Sequence, residues 1–403
     1  MPSSRDVRVI GLIGLAHGAS HYHQMAFVTM LLIVRPGIGL SFTDVGLVSS
    51  LFYVTSLLGQ TAAGFAVDRF GARPILVGGL ATIGAALALM SLAHSLEALA
   101  AVSILAGLGN CVFHPADFAL INASVQTSRL GRAFSIHGLG GSLGWAAGPT
   151  LFFLDDLFGL VPTALIGAVP GLALAGLVWL GQGSLADHRA SARQTPSGHR
   201  QIPLRSLFLQ PPILLCLAYF ALLSVSTVGI QQFAVPAWRT MFGVSQSYAA
   251  ACLIVFMVGS AAGMLVGGIF ADRVRRHERV AITGLLAAAA FTLPVALQVV
   301  TPALLLPALA LAGFAGGTTN PSRDMIVRNA TPPGASGRVF GFVYSGLDLG
   351  SFAAPPVFGL LMSHGLTASI FWIATGLYIV NAGIVALIRE VGSRPSVAPV
   401  AAE

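Results

Sequence analysis

The chain has 403 residues, of which 55% are hydrophobic and only 9% charged. A soluble domain carries roughly 25% charged residues, so this composition, with a mean hydropathy of +0.84, excludes a soluble globular protein and indicates an all-α polytopic membrane protein. The net charge of +7 is a poor argument for nucleic-acid binding, because the 21 basic residues, all arginine, are dispersed among loops between apolar runs, where membrane orientation accounts for them better.

A membrane-spanning helix needs about 20 mainly apolar residues. Twelve such runs follow in order, near 7–34, 44–67, 74–93, 97–121, 133–154, 160–182, 208–235, 245–270, 279–300, 302–327, 337–362 and 367–388. Each is read as a helix, since lipid offers the backbone no partners. The first run is too long for the apolar core of a signal peptide and lacks a small-residue cleavage site, so no cleaved leader is expected. The reading is therefore two six-helix bundles, 1–182 and 207–390, joined by a polar linker at 183–206 and followed by a tail at 391–403. With the N-terminus inside, 19 of the 21 arginines fall on the cytoplasmic side and only Arg35 and Arg239 outside, which places both termini in the cytoplasm. Cys111, Cys216 and Cys252 lie in apolar runs and read as small buried hydrophobes.

The turn after the second run is Gly64-Phe65-Ala66-Val67-Asp68-Arg69-Phe70-Gly71-Ala72-Arg73. A variant, Gly268-Ile269-Phe270-Ala271-Asp272-Arg273, recurs at an offset of 204, which also relates Arg35 to Arg239. At an offset of 206, His114-Pro115 matches Asn320-Pro321, and Gly140, Gly144 and Pro149 match Gly346, Gly350 and Pro355. Such agreement describes two parallel repeats related by a pseudo-twofold axis and facing each other across a central cavity.

The turn resembles the signature loop of the major facilitator superfamily, Gly-x-x-x-Asp-Arg-x-Gly-x-Arg, without departure; the second copy departs at Val274 and Arg275. Gly144, Gly148 and Pro149 resemble the helix-5 element of antiporters in that superfamily, in its shorter form. Gly109 to Pro115 looks like helix 4 of fosmidomycin-resistance-type exporters. The resemblance implies alternating access, with proton-coupled export of a small molecule as the leading case, in a bacterial inner membrane. It also implies that charges at the cytoplasmic ends of helices 4 and 10 form an inner gate. Asp117 is therefore expected to pair with Arg69 or Arg73, and Arg323, beside Asp324, with Asp272.

An ionisable residue inside a span costs about 2.5–3.5 kcal/mol and calls for a reason. Asp348, between Gly346 and Gly350, is read either as a proton carrier or as a carboxylate hydrogen-bonded to a neighbouring helix. His17, His21 and Gln24, at spacings of four and three, share a face of the first helix. Their alternatives are proton coupling, anion binding, or polar packing against His137. His114 belongs to either the cavity or the gate, and His23 points elsewhere. Tyr53, Asn110, Trp145, Gln231, Asn320 and Tyr344 are the remaining cavity candidates. No metal ligand set is expected, because no cysteine or carboxylate shares the His17 face. No cofactor is implied, and no phosphate-binding loop would let ATP drive the protein. The partners expected are a small molecule, protons and lipid, with a monomeric chain. The leading expectation is drug/proton exchange; the alternatives are import of a metabolite anion onto the first-helix histidines and a transport-inactive sensor. An enzyme is not expected, since no catalytic constellation assembles.

Overall fold

The computed structural model describes residues 4–126, 129–181, 204–332 and 335–393. The linker expected at 183–206 and the tail expected at 391–403 fall mostly outside them. The fold is all-helical, with helices α1 (Ser4–Ile38), α2 (Phe42–Phe70), α3 (Ala72–Leu89), α4 (Leu96–Asn110), α5 (Phe113–Ser124), α6 (Leu130–Ala147), α7 (Leu151–Phe158) and α8 (Leu160–Leu180) in the first half. The second half contains α9 (Leu204–Phe208), α10 (Pro211–Phe242), α11 (Gln246–Arg273), α12 (His277–Ala296), α13 (Pro302–Ala330), α14 (Ser336–Ser363) and α15 (Ser369–Ser393). Among the described residues, nine helical segments are long and apolar enough to cross a membrane. The other three rods are α1, which carries His17, His21 and His23, α6–α7, which carries His137, and α14, which carries Asp348.

Local chemistry sets the breaks. Pro115 removes a backbone donor, and its ring would meet the carbonyl four residues earlier, so one span divides into α4 and α5 at Cys111 and Val112. Pro149 sits in a tight turn of 3-10 helix between α6 and α7. The second repeat carries Pro321 and Pro355 within unbroken helices. Gly71 ends α2 with φ of +92°, a conformation that favours glycine over any residue with a Cβ. At its other end α2 begins with a capping box, in which Ser41 and Asp44 satisfy each other's backbone N–H.

The packing repeats between the halves. α1 lies on α6 as α10 lies on α14, α2 on α4 as α11 on α13, and α3 on α8 as α12 on α15. The halves meet chiefly through α2 with α14 and α6 with α11. Several hydrogen bonds that join them lie at the end carrying Ser41 and Ser363. The Thr43 backbone N–H and hydroxyl both reach Ser363 Oγ at 3.0 Å. Ser50 donates to the Phe352 carbonyl at 2.7 Å. Asp156 on α7 accepts from Ser247 and, at 3.3 Å, from Gln246, in the first turn of α11. At the opposite, arginine-rich end, Gly64 and Gly268 face open space, and Asp68, Arg69 and Phe70 are exposed. Hydrogen bonds thus join the halves at the Ser41 end, while Asp68, Arg69 and Phe70 at the other end stay exposed.

Candidate functional site

Between the halves is a cavity of about 370 Å³ lined from both sides. The first half contributes His21, Gln24, Tyr53, Asn110, His114 and Trp145; the second contributes Gln231, Asn320, Arg323 and Asp348. Apolar surface comes from Leu57, Leu223, Val228, Phe256, Met257 and Leu347. The cavity therefore has polar groups on an apolar background, the usual chemistry of a small-molecule site. Among its described lining residues Arg323 is the one permanent cation and Asp348 the one carboxylate.

Glycine brings the first-half site together. α1 and α6 pack so closely that a Cβ on Gly144 would fall 2.0 Å from the Gly18 carbonyl oxygen, and one on Gly140 2.3 Å from that of Gly14. Small residues at four-residue spacing on both helices permit this approach. Gly148 continues the seam against Met25. Where the helices touch, the space above Gly141 is filled by the rings of His17 and His21. These imidazoles are thereby pressed against α6, where His17 stacks on His137 with ring centroids 3.5 Å apart and planes 19° apart.

Asp117 enters this cluster from α5. It is fully buried, and its Oδ2 lies 3.1 Å from His137 Nε2 and 3.4 Å from His17 Nδ1. The His137 contact is a hydrogen bond; the His17 contact is close enough for attraction, but His17 Nδ1 makes no hydrogen bond. His17 Nε2 then meets His21 Nε2 at 3.1 Å, and His21 reaches the cavity. A continuous path of titratable groups runs from a sealed carboxylate to the open pocket. An isolated ionised carboxylate at such a depth would cost several kcal/mol, and the hydrogen bond from His137 is what offsets the burial of Asp117. His114 packs beside the path, its ring 5.4 Å from that of His17. His17, Asp117 and His137 also place three possible metal-ligand atoms within 4.8 Å of one another, which the first-helix face alone did not foreshadow.

A second network fixes the neighbouring wall. Asn110 Oδ1 accepts from Ser20 at 3.0 Å and from Gln24 at 2.9 Å, and its Nδ2 donates to Ser56 at 2.8 Å. Tyr53 accepts across the halves from Gln232 at 3.2 Å. His23, buried, contacts the Ala19 carbonyl at 2.7 Å through Nδ1 and packs near Gly171 of α8, away from the cavity.

The pair expected between Asp117 and Arg69 or Arg73 is not formed in this conformation. Asp117 meets histidines because its side of α5 faces α1 and α6. Arg73 instead turns to the end of α8, donating to the Val178 carbonyl at 3.1 Å and to that of Trp179, where a cation suits the unsatisfied carbonyls. Arg69 lies over Phe70, 5.2 Å from its ring centre. Arg323 pairs with its neighbour Asp324 at 3.1 Å and reaches into the cavity; the Asp272 side chain lies outside the described residues. A Cβ added at Gly64 or Gly268 would meet nothing within 4 Å, so neither glycine is required by a close helix contact here. Tyr344 is not on the cavity wall but behind it, its ring 5.8 Å from the Arg323 guanidinium carbon. Four further lining residues, Ser142, Ser224, Ser260 and Ser351, are not legible in the sequence, where single serines in apolar runs carry no pattern.

Comparison with known proteins bears on the whole chain. The family model of the Major Facilitator Superfamily matches residues 13–251 and 220–403. The fosmidomycin resistance protein of Escherichia coli strain K12 is 27% identical over 293 residues, 71% of this chain and 70% of that protein. The multidrug resistance protein MdtH of Aeromonas hydrophila is 27% identical over 361 residues, 85% of this chain and 86% of its own length. Among solved structures, a bacterial homologue of the human lysosomal transporter Spinster, inward-facing and occupied, superposes with a TM-score of 0.70 at 13% identity, covering 97% of both chains.

Proposed function

The chain belongs to the Major Facilitator Superfamily of membrane transporters, and on that premise we propose that it exports a small organic solute in exchange for protons. The observation that carries this reading is the cavity shared by the halves, into which titratable groups of both halves open: His21 and His114 from one, Asp348 from the other. A site at the interface of two repeats, joined by hydrogen bonds at one end, is what alternating access requires. By the distribution of arginine the other end is cytoplasmic, so the pocket is poised to load from inside a bacterial cell, with both termini on that side. The names of relatives, fosmidomycin resistance and multidrug resistance, support efflux.

The chemistry follows from competition. Asp348 stands half-buried between Gly346 and Gly350, which press α14 onto α10. A proton and a substrate group that both need this carboxylate exclude each other, which is the condition for exchange. The His21–His17–Asp117 path supplies a second place for a proton next to the pocket. Inverted vesicles with an imposed proton gradient test the reading. Gradient-dependent uptake of a panel that includes fosmidomycin is expected; no gradient-driven movement of any compound would defeat exchange.

The second reading is import of a metabolite anion onto the histidines of α1, favoured by the imidazole cluster and by a relative named 3-(3-hydroxy-phenyl)propionate transporter in Escherichia coli. Uptake into intact cells that is lost in His17→Ala or His21→Ala would select it.

A further inference from the structure

We infer that the solute is a small organic acid whose oxyanion head binds Arg323 end-on and whose opposite end offers a hydrogen-bond donor to Asp348. This deepens the proposed exchange by naming the substrate class of the same pocket. Arg323 is held from behind. Its Nε donates to Asp324 Oδ1 at 3.1 Å, one Nη1 hydrogen points at Asn320 Oδ1 at 3.5 Å, and the guanidinium lies on Phe220, 4.5 Å from the ring centre. Tyr344 also hydrogen-bonds the guanidinium. The side chain is only 12% exposed, and that exposure is to the cavity.

A guanidinium whose Nε edge is occupied and whose Nη edge is left towards a pocket presents two parallel N–H groups, a geometry that matches a carboxylate or phosphonate. An arginine present only as a structural ion pair would have no need of a platform of two aromatic rings and an open edge on the pocket. Asp348 supplies the other pole. It stands one helical turn, about 6 Å, along α14 from Tyr344, whose ring flanks the guanidinium. Head and donor are therefore separated by a distance on the order of one to two turns of helix. An ionised Asp348 repels an acid that lacks a donor and accepts one that has a hydroxyl or N–H at that end. Protonation of Asp348 removes the charge that strengthens this hydrogen bond, which links this recognition to exchange.

The test is binding to the purified full-length transporter, measured by calorimetry with three probes: 4-hydroxyphenylacetate, its methyl ester, and 4-methoxyphenylacetate. The free acid is expected to bind about tenfold or more tightly than the ester, as for loss of a charge-assisted hydrogen bond, and more tightly than the methoxy compound. Arg323→Gln should remove the preference for acid over ester, with Arg323→Lys retaining part of it. Asp348→Ala should remove the preference for hydroxyl over methoxy and leave the preference for acid. Equal binding of acid and ester, an undiminished acid preference in Arg323→Gln, or no binding of any probe at millimolar concentration would overturn the assignment. Loss of fold in a variant is read separately, by size-exclusion profile, and Arg323→Lys then carries the comparison. Because only binding is measured, Arg323-dependent binding without gradient-driven transport would defeat proton exchange and leave this assignment standing.

Discussion

Three glycines on α6 should respond to the same substitution in three different ways. A Cβ at Gly144 would stand 2.0 Å from the Gly18 carbonyl oxygen, an atom of a helix backbone that cannot turn aside. A Cβ at Gly141 would stand 2.6 Å from His21 Cδ2 and 3.0 Å from His17 Cδ2, side-chain atoms that can. A Cβ at Gly138 would meet nothing within 4 Å. Replacing glycine by alanine within a helix gains up to about 1 kcal/mol from backbone entropy, and that gain is common to all three. Overpacking costs about 1–3 kcal/mol where side chains can yield and more where two helices must part. Gly138→Ala should therefore be neutral or slightly stabilising. Gly141→Ala should fold with a modestly lower Tm but push the imidazoles off their 3.1 Å contact, impairing proton-driven transport. Gly144→Ala should reduce the yield of folded protein. Thermal unfolding in detergent, followed by transport in inverted vesicles, reads both effects. Wild-type transport in Gly141→Ala would refute the assignment of His17 and His21 to the proton path, and equal Tm values for all three would refute the α1–α6 seam itself.

Asp348→Asn should abolish gradient-driven accumulation while solute counterflow without a gradient continues; intact coupling would remove Asp348 from the mechanism. Asp117→Ala should lower the Tm, because it leaves His137 Nε2 buried without its hydrogen-bond partner, with Asp117→Asn milder; a thermal shift of neither variant would show that this contact does not stabilise the fold. Asp156→Ala should weaken the contact of α7 with the first turn of α11 and favour the state open at the Ser41 end, seen as faster labelling of cysteines placed near Ser363; unchanged labelling would deny the latch.

The twelve rods, their order and their pairing by repeat were legible in the sequence because hydropathy and the recurring Gly-x-x-x-Asp-Arg turn act locally or at a fixed offset. Most of the cavity wall was legible too: Gln24, Tyr53, Asn110, Trp145, Gln231, Asn320, His21, His114 and Asp348 all line it. The partners of the charges were not. Whether Asp117 turns to Arg73 or to His137 depends on the rotation of α5 against α1 and α6, and no periodicity within one helix encodes that. The glycine spacings at 14 and 18 and at 140 and 144 carried the missing information, since a seam of small residues fixes which faces meet. The position of Arg323 on the cavity wall is hidden from the sequence for a related reason. A charge near a helix end reads as a gate, but the aromatic platform of Phe220 and Tyr344 comes from other helices and turns the guanidinium toward the pocket.

Alternating access is tested most directly by two spin-label distances followed together in the full-length transporter. One pair, Phe70 and Arg275, sits at the arginine-rich end; the other, Gly37 and Thr240, at the end closed by Thr43 and Ser363. On moving between alkaline and acidic buffer, or on adding solute, the first distance should shorten as the second lengthens. Distances that change in the same sense at both ends, or a first distance that never shortens, would contradict two halves rocking about a shared pocket.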